Sequence, residues 1–292
     1  MNVLIFGNTY KLECKIYIEA LINELLSRNV GIVIYKPFYE FWNQHLDIKT
    51  KSLSTFKTND DIVGKMDYMF SLGGDGTFLE SVQFVKNKEI PIIGINMGRL
   101  GFLASITQEE AAHAVSQIFD NNYSIEERSL LHFTDEDEKF QKFPYALNDV
   151  TVQKKDTSMI TIHTFLNNEY LNTYWADGLI ISTSTGSTAY SLSVGGPIVL
   201  PNSKNIVICP IAPHNLSVRP IVVPDNFIIK LKIESRSETF LATVDNRTEV
   251  MDINREIILK SSDFKIKMLH LKNYNFYHTI RNKLLWGFDK RN

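Results

Sequence analysis

The sequence predicts an α/β domain followed by a mostly β domain, and three observations predict it. Strand-like apolar runs alternate with helical spacing through the first third of the chain. After about residue 123 the helical spacing fades and short alternating runs take over. Between these parts, Gly73-Gly74-Asp75-Gly76-Thr77 joins an apolar strand to an amphipathic helix. The βαβα order implies an open, mostly parallel sheet with helices on both sides. We expect residues 1–123 to form the α/β domain and 124–270 a β-rich domain. Residues 271–292 form an aromatic tail, too apolar to hang free, that packs back on the first domain.

Each element has its own signal. Val3–Phe6 and Gly31–Tyr35 are continuous apolar runs bounded by glycine, as buried strands are. Between them Ile18, Leu21, Ile22, Leu25 and Leu26 recur at helical spacing. The strand Tyr68–Leu72 leads to the glycine turn, and Phe78, Leu79, Val82 and Val85 mark the next helix. Ile90–Ile95 is a further strand, and Ala111, Ala112, Val115, Ile118 and Phe119 make one face of the last helix. In the second part Asn167-Asn168 reads as a hairpin turn between Met159–Leu166 and Tyr170–Trp175. Phe227–Glu234 and Phe264–Met268 alternate as half-buried strands do, and Asp135–Lys139 reads as a solvated hairpin tip.

Composition excludes several classes. A net charge of −2 and the lack of a basic cluster interleaved with aromatics give no nucleic-acid footprint. No apolar stretch reaches the ~20 residues that span a bilayer, so no membrane association is expected. The first residues read as a core strand and not a signal peptide. Cys14 and Cys209 are the only cysteines, which suits a reducing compartment; a cytoplasmic protein is expected. His113, His132 and His163 fall in predicted elements without metal-ligand spacing, so no resident metal site is expected.

Two segments carry chemistry. Glycines let a backbone approach a ligand, and amides at a helix start can hold phosphate oxygens. Asp75 would repel a phosphate unless it takes a proton from a hydroxyl or holds a metal ion bridging phosphates. The same residues could also form a tight turn whose Asp caps the helix. The second segment, Thr183-Ser184-Thr185-Gly186-Ser187-Thr188-Ala189-Tyr190-Ser191, follows the strand Leu179-Ile180-Ile181. So many hydroxyls suit neither a core nor an ordinary surface loop, but they suit a ligand with ribose and amide groups. Tyr190 offers a ring for a base to stack on. A Ser/Thr-rich turn capping the next helix is the simpler use of the same residues.

These two motifs, about 110 residues apart, resemble those of the NAD kinases. The resemblance extends through Asn96–Leu103, Asn148-Asp149, Ala176–Leu179, Pro213–Leu216 with Arg219-Pro220, and Val244–Arg247, spanning roughly residues 70 to 250. The glycine turn alone is unspecific, because diacylglycerol and sphingosine kinases and phosphofructokinases carry similar turns.

The resemblance implies transfer of a phosphoryl group from ATP, or polyphosphate, to the 2′-hydroxyl of the adenosine ribose of NAD, with Mg²⁺ or another divalent cation. Asp75 would take the hydroxyl proton. Gly73, Gly74, Gly76 and Thr77 would face the donor phosphates. The NAD contacts it implies are Asp75, Gly76, Leu79, Phe102, Asn148, Asp149, Trp175 and Asp177. Thr185, Thr188, Ala189, Tyr190, Ser191, Leu192, Ser193 and Arg247 complete that set. Asn148 and Asp149 would hold the NAD near its ribose and adenine, Asp177 its nicotinamide end, and Arg247 a substrate phosphate. His214 would lie near the reacting phosphate without being the base.

Three residues depart from the family pattern: Ser184 for Pro, Asp149 for the longer Glu, and Trp175 where a polar or basic residue is usual. Trp175 could stack on a ring, but packing in the sheet is favoured. A homo-oligomer, dimer or tetramer, is expected, and the site should lie in the cleft between the domains. The alternatives are a lipid kinase of the diacylglycerol or sphingosine kinase type and a non-catalytic NAD-binding sensor. The sequence has neither Gly-x-x-x-x-Gly-Lys-Ser/Thr nor Gly-x-Gly-x-x-Gly, which excludes a P-loop kinase and Rossmann-type dinucleotide binding.

Overall fold

A computed structural model describes residues 1–8, 12–45, 53–253 and 255–286. The chain divides into two compact units, Met1–Glu126 with Ile266–Asn292, and Glu127–Lys265. The C-terminal tail therefore belongs to the first unit.

The first unit is built on a parallel sheet of β1 (Asn2–Gly7), β2 (Gly31–Tyr35), β3 (Ser54–Phe56), β4 (Tyr68–Leu72) and β5 (Ile92–Asn96). Its order is β3-β2-β1-β4-β5, with Val3 of β1 paired to both Ile32 and Tyr68. The chain runs outward from β1 to β3, then returns to lay β4 on the other side of β1. That reversal opens a crevice at the carboxyl ends of β1 and β4, where open α/β sheets bind ligands. Leu72, the last residue of β4, leads directly into Gly73.

Helices cover both faces, as the alternation along the strands requires. Val3 and Ile5 share one core with Ile18, Leu21, Ile22 and Leu25 of α1 (Lys15–Ser27) and with Ala111, Ala114, Val115 and Ile118 of α4 (Ala111–Phe119). Phe38 and Trp42 of α2 (Lys36–Trp42) join that core. Phe6 points to the opposite face and meets Phe84 of α3 (Asp75–Val85), ring centroids 5.0 Å apart. Burying each such side chain contributes about 1.5–3 kcal/mol. Leu26 differs from expectation: it lies outside the buried stripe and is exposed. Helix α3 begins at Asp75 rather than at Phe78, so the glycine turn is itself the helix start.

The second unit is a sandwich of two antiparallel sheets. One has six strands in the order β14-β13-β12-β9-β16-β17. These are β9 (Asp149–Lys154), β12 (Gly178–Thr183), β13 (Asn205–Ile211), β14 (Ile221–Pro224), β16 (Thr239–Val244) and β17 (Arg247–Asp252). The other pairs β11 (Glu169–Ala176), β10 (Ile160–Leu166), β15 (Ile229–Glu234) and the first residues of β18 (Glu256–Leu271) in that order. Val150, Val152, Leu179 and Ile181 of the first sheet share a core with Ile160, Ile162, Leu231 and Ile257 of the second. Asn167 and Asn168 turn the β10–β11 hairpin with φ of 50° and 68°, the pair of positive φ values a two-residue turn needs.

Strand β6 (Ile106–Thr107) pairs in parallel with β5, and β7 (Tyr123–Thr134) pairs with β8 (Tyr145–Ala146) through Leu131 and Ala146. Residues 136–139 of the intervening acidic run are exposed, while Asp135 is buried. The last residues of β18 lie in the first unit, where Met268 pairs in parallel with Ile92. Helix α6 (Phe276–Leu284) follows there, its start capped by Asn275, whose side chain accepts the amides of Tyr277 and His278 at 2.9 and 3.3 Å. Among the described residues no helix is long and apolar enough to cross a membrane.

Candidate active site

The glycine turn sits at the crevice of the first unit. Gly73 has φ 152° and donates its amide to Ile95 O at 2.8 Å, fixing the turn to β5. A Cβ added at Gly74 or Gly76 would meet nothing within 4 Å. The packing of the chain does not demand these two glycines. Both are exposed, so a group from outside can come close to the backbone there, as a phosphate-holding turn requires. Thr77 and Leu79 are buried behind the turn.

Asp75 does not cap its own helix; the N-cap is Gly74, and the carboxylate turns to the loop after β5. Oδ1 accepts the amides of Leu103 and Ala104, both at 3.0 Å, and Oδ2 accepts that of Phe102 at 2.9 Å. Asn96 shapes that loop by accepting the Gly98 amide at 2.7 Å and donating to Arg99 O at 2.6 Å. Among the described residues Oδ1 accepts two amides and Oδ2 one, so Oδ2 keeps an acceptor position. Lys283 of α6 lies 3.9 Å from that atom and 4.9 Å from the centroid of the Phe102 ring.

In the second unit Asn148 and Asp149 are gathered by Asp245. Asp245 Oδ1 accepts the amides of Asn148 and Asp149 at 2.8 and 3.2 Å, and Oδ2 that of Leu147 at 2.9 Å. Asp149 is buried, and Thr151 Oγ1 donates to its Oδ1 at 3.1 Å. Burial, and then the charge of Asp245, push the Asp149 carboxyl up to about 7. Burial also raises Asp245, but its three amide donors and Arg247 oppose the rise. Of the two, Asp149 therefore holds a proton to the higher pH.

The hydroxyl-rich segment folds into the 3₁₀ turn Thr185–Thr188 and the short helix α5 (Tyr190–Ser193). Contrary to expectation, much of it is core. Thr183, Ser184, Thr185, Ser187 and Ser191 are buried. Thr183 Oγ1 donates to Leu147 O at 2.6 Å, and Ser184 Oγ to Ser203 O at 2.6 Å. Ser187 Oγ donates to Ser184 O at 2.8 Å and accepts the Val199 amide at 3.0 Å. These hydroxyls pin the turn by satisfying carbonyls that burial would otherwise orphan. Thr188, Ala189 and Leu192 are partly open and Ser193 is exposed, while the 40 % exposed Tyr190 receives Gln153 Nε2 on its hydroxyl at 2.9 Å. Gly186 lets the turn lie against Asn148: a Cβ there would stand 2.1 Å from Asn148 O.

Trp175 corrects the packing expectation. Strand alternation sends Tyr174 and Ala176 into the core and turns Trp175 outward, where it is 50 % exposed. Asp177 is engaged by Lys154, Nζ to Oδ1 at 2.6 Å. Arg247 turns to the chain's own carbonyls, Phe143 O and, at 2.7 Å, Tyr145 O, with the guanidinium over the Phe143 ring. The His214 amide donates to Trp175 O at 2.8 Å. Among the described residues no cluster of three or more His, Cys, Asp or Glu side chains could hold a metal ion.

The family model for the ATP-NAD kinase N-terminal domain matches residues 3–123, and that for the C-terminal domain matches residues 147–271. The chain belongs to the NAD kinase family. It is 43 % identical over 293 residues to an NAD kinase of Cytophaga hutchinsonii and 44 % identical over 295 residues to one of Flavobacterium johnsoniae, each covered in full. Among solved structures, a yeast NADH kinase complexed with NADH is similar over 99 % of this chain and 88 % of its own, at 27 % identity and a TM-score of 0.85. An NAD kinase from Archaeoglobus fulgidus in complex with ATP shares the fold over 98 % of this chain and 99 % of its own, at 22 % identity and a TM-score of 0.74.

Sequence reasoning about the NAD kinase motifs missed four residues. Gly101 and Asp245 lie inside those motifs, but only geometry shows what each touches. Lys154 and Lys283 had no signal, since a single lysine in a strand or tail reads as a solvated side chain.

Proposed function

We propose that the protein transfers the terminal phosphoryl group of ATP to the 2′-hydroxyl of the adenosine ribose of NAD, forming NADP and ADP. Asp75 carries this reading: its carboxylate is oriented by three backbone amides beside an open glycine turn, with one acceptor position left on Oδ2. The ribose oxygen attacks the γ-phosphorus as the bond from that phosphorus to the ADP oxygen breaks, and Oδ2 takes the hydroxyl proton. The Gly74 and Gly76 amides hold the donor phosphates. A divalent cation such as Mg²⁺, brought with ATP, would lower the charge of the donor phosphates; among the described residues no His, Cys, Asp or Glu cluster is set to hold it.

Asn148, held at its backbone by Asp245, and the open ring of Tyr190 are the groups best placed in the second unit to contact the ribose and a base. Exposed Trp175 and Tyr170 on strand β11 at its sheet's edge support association of copies into a homo-oligomer. Cys14 and Cys209, both buried and outside any disulfide, support a reducing, cytoplasmic setting. The reaction is tested by incubating the protein with NAD, ATP and Mg²⁺ and reading NADP with an NADP-specific dehydrogenase. Failure to form NADP from NAD or NADPH from NADH, with ATP or polyphosphate as donor, would sink the proposal.

A further inference from the structure

The tail of the first unit brings a cation to the reacting carboxylate. Helix α6 is a packed element: Thr279 and Ile280 are buried, and Asn275 caps its start. Phe276 and Lys283, seven residues apart, lie on one helix face. Both meet Phe102, Phe276 with its ring at 6.3 Å between centroids and Lys283 with its ammonium at 4.9 Å. This face sets Lys283 Nζ 3.9 Å from Asp75 Oδ2. The residues matched by the family models end at 271, so the lysine comes from a segment beyond both matches.

A purely structural use of the Lys283–Asp75 pair explains little. Both side chains are about one-third exposed, at 31 % and 32 %, and such pairs contribute roughly 0–1 kcal/mol. The position is better explained by chemistry. A hydroxyl hydrogen-bonded to Oδ2 sits ~2.7 Å from it, which brings the oxygen under attack into the neighbourhood of Nζ. Phosphoryl transfer spreads negative charge over the oxygens of the moving group, and a fixed ammonium lowers the energy of that charge.

We propose that Lys283 is a catalytic residue of this transfer, its ammonium binding an oxygen of the transferring phosphoryl group. This rests on the phosphoryl-transfer reading above. The test compares wild type, Lys283→Met and Lys283→Arg for kcat, KM for ATP, KM for NAD and melting temperature. Lys283→Met should lose about 10²-fold in kcat, as loss of one charge-stabilising donor does, while KM for NAD stays within about twofold and the melting temperature holds. Lys283→Arg, which keeps the charge, should recover much of the loss. Active wild type with an equally active Lys283→Met would overturn this inference alone. A loss that tracks melting temperature and KM for NAD, without rescue by Arg, would assign the residue to structure and also overturn it. Wild type without NADP formation would instead remove the reading on which the inference stands, and the inference with it.

Discussion

The carboxylate of Asp75 occupies the space that a side chain on residue 101 would need: a Cβ on Gly101 would lie 1.8 Å from Asp75 Oδ1. The glycine is required here by close approach, because the loop amides reach the carboxylate only when position 101 is bare. Gly101→Ala should displace the carboxylate from the Phe102–Ala104 amides and lower kcat about 10²-fold, the typical worth of a positioned base. The fold should survive, since Asp75 can swing toward solvent. Steady-state kinetics beside a thermal melt check this; full activity in the variant would show that the amide cradle does not position the base.

Gly186 plays the corresponding part in the second unit, but against backbone. A Cβ there meets Asn148 O at 2.1 Å and Asn148 Cα at 2.7 Å, and neither can rotate away. Gly186→Ala should cost about 1–3 kcal/mol by overpacking and raise KM for NAD as Asn148 shifts. Urea unfolding with NAD titration reads both; unaltered stability would contradict the contact.

The Asp149–Asp245 pair makes stability depend on pH. The Asp149 carboxyl stands at about 7 in the fold against 3.8 for the free group, chiefly through burial. A raised carboxyl contributes stability that is fully present below the unfolded value and is lost as pH rises through the folded one. Wild type should therefore weaken, relative to Asp149→Asn, between about pH 4 and about pH 7. The variant cannot ionise and should gain on wild type across that window by a few kcal/mol, to order of magnitude. Parallel unfolding curves at both pH values would show that Asp149 does not hold the proton.

Lys154 is expected to act through Asp177, its ion-pair partner at 2.6 Å. The pair is partly exposed, at 28 % and 35 %, so Lys154→Met should change stability by no more than about 1 kcal/mol. KM for NAD should rise while kcat changes little, since the carboxylate loses its orientation and not its charge. An unchanged KM would separate Asp177 from the dinucleotide.

The fold was largely legible in the sequence because its signals are periodic. Apolar spacing located β1, β2, β4, β5, α1, α3 and α4, and the Asn167-Asn168 pair located a hairpin. Orientation within an element was harder to read. Leu26 fits the helical stripe of α1 by spacing yet falls on its outer edge, and Trp175 turns outward by strand alternation although its size suggested packing. The hydroxyl-rich segment misled for a chemical reason: Thr183, Ser184 and Ser187 are polar by composition but are buried because each satisfies a carbonyl of the chain. Gly101 against Asp75 and Lys283 beside it are pairings distant in sequence. No local pattern encodes which glycine must be bare or which lysine will arrive.

The central claim, that Asp75 takes the hydroxyl proton, is tested most directly by NADP formation in Asp75→Asn beside wild type. Asparagine keeps the shape and can still accept loop amides through its oxygen, but it cannot take the proton. Asp75→Asn should bind NAD and melt close to wild type, with kcat reduced at least about 10²-fold. A variant that forms NADP at the wild-type rate would contradict it.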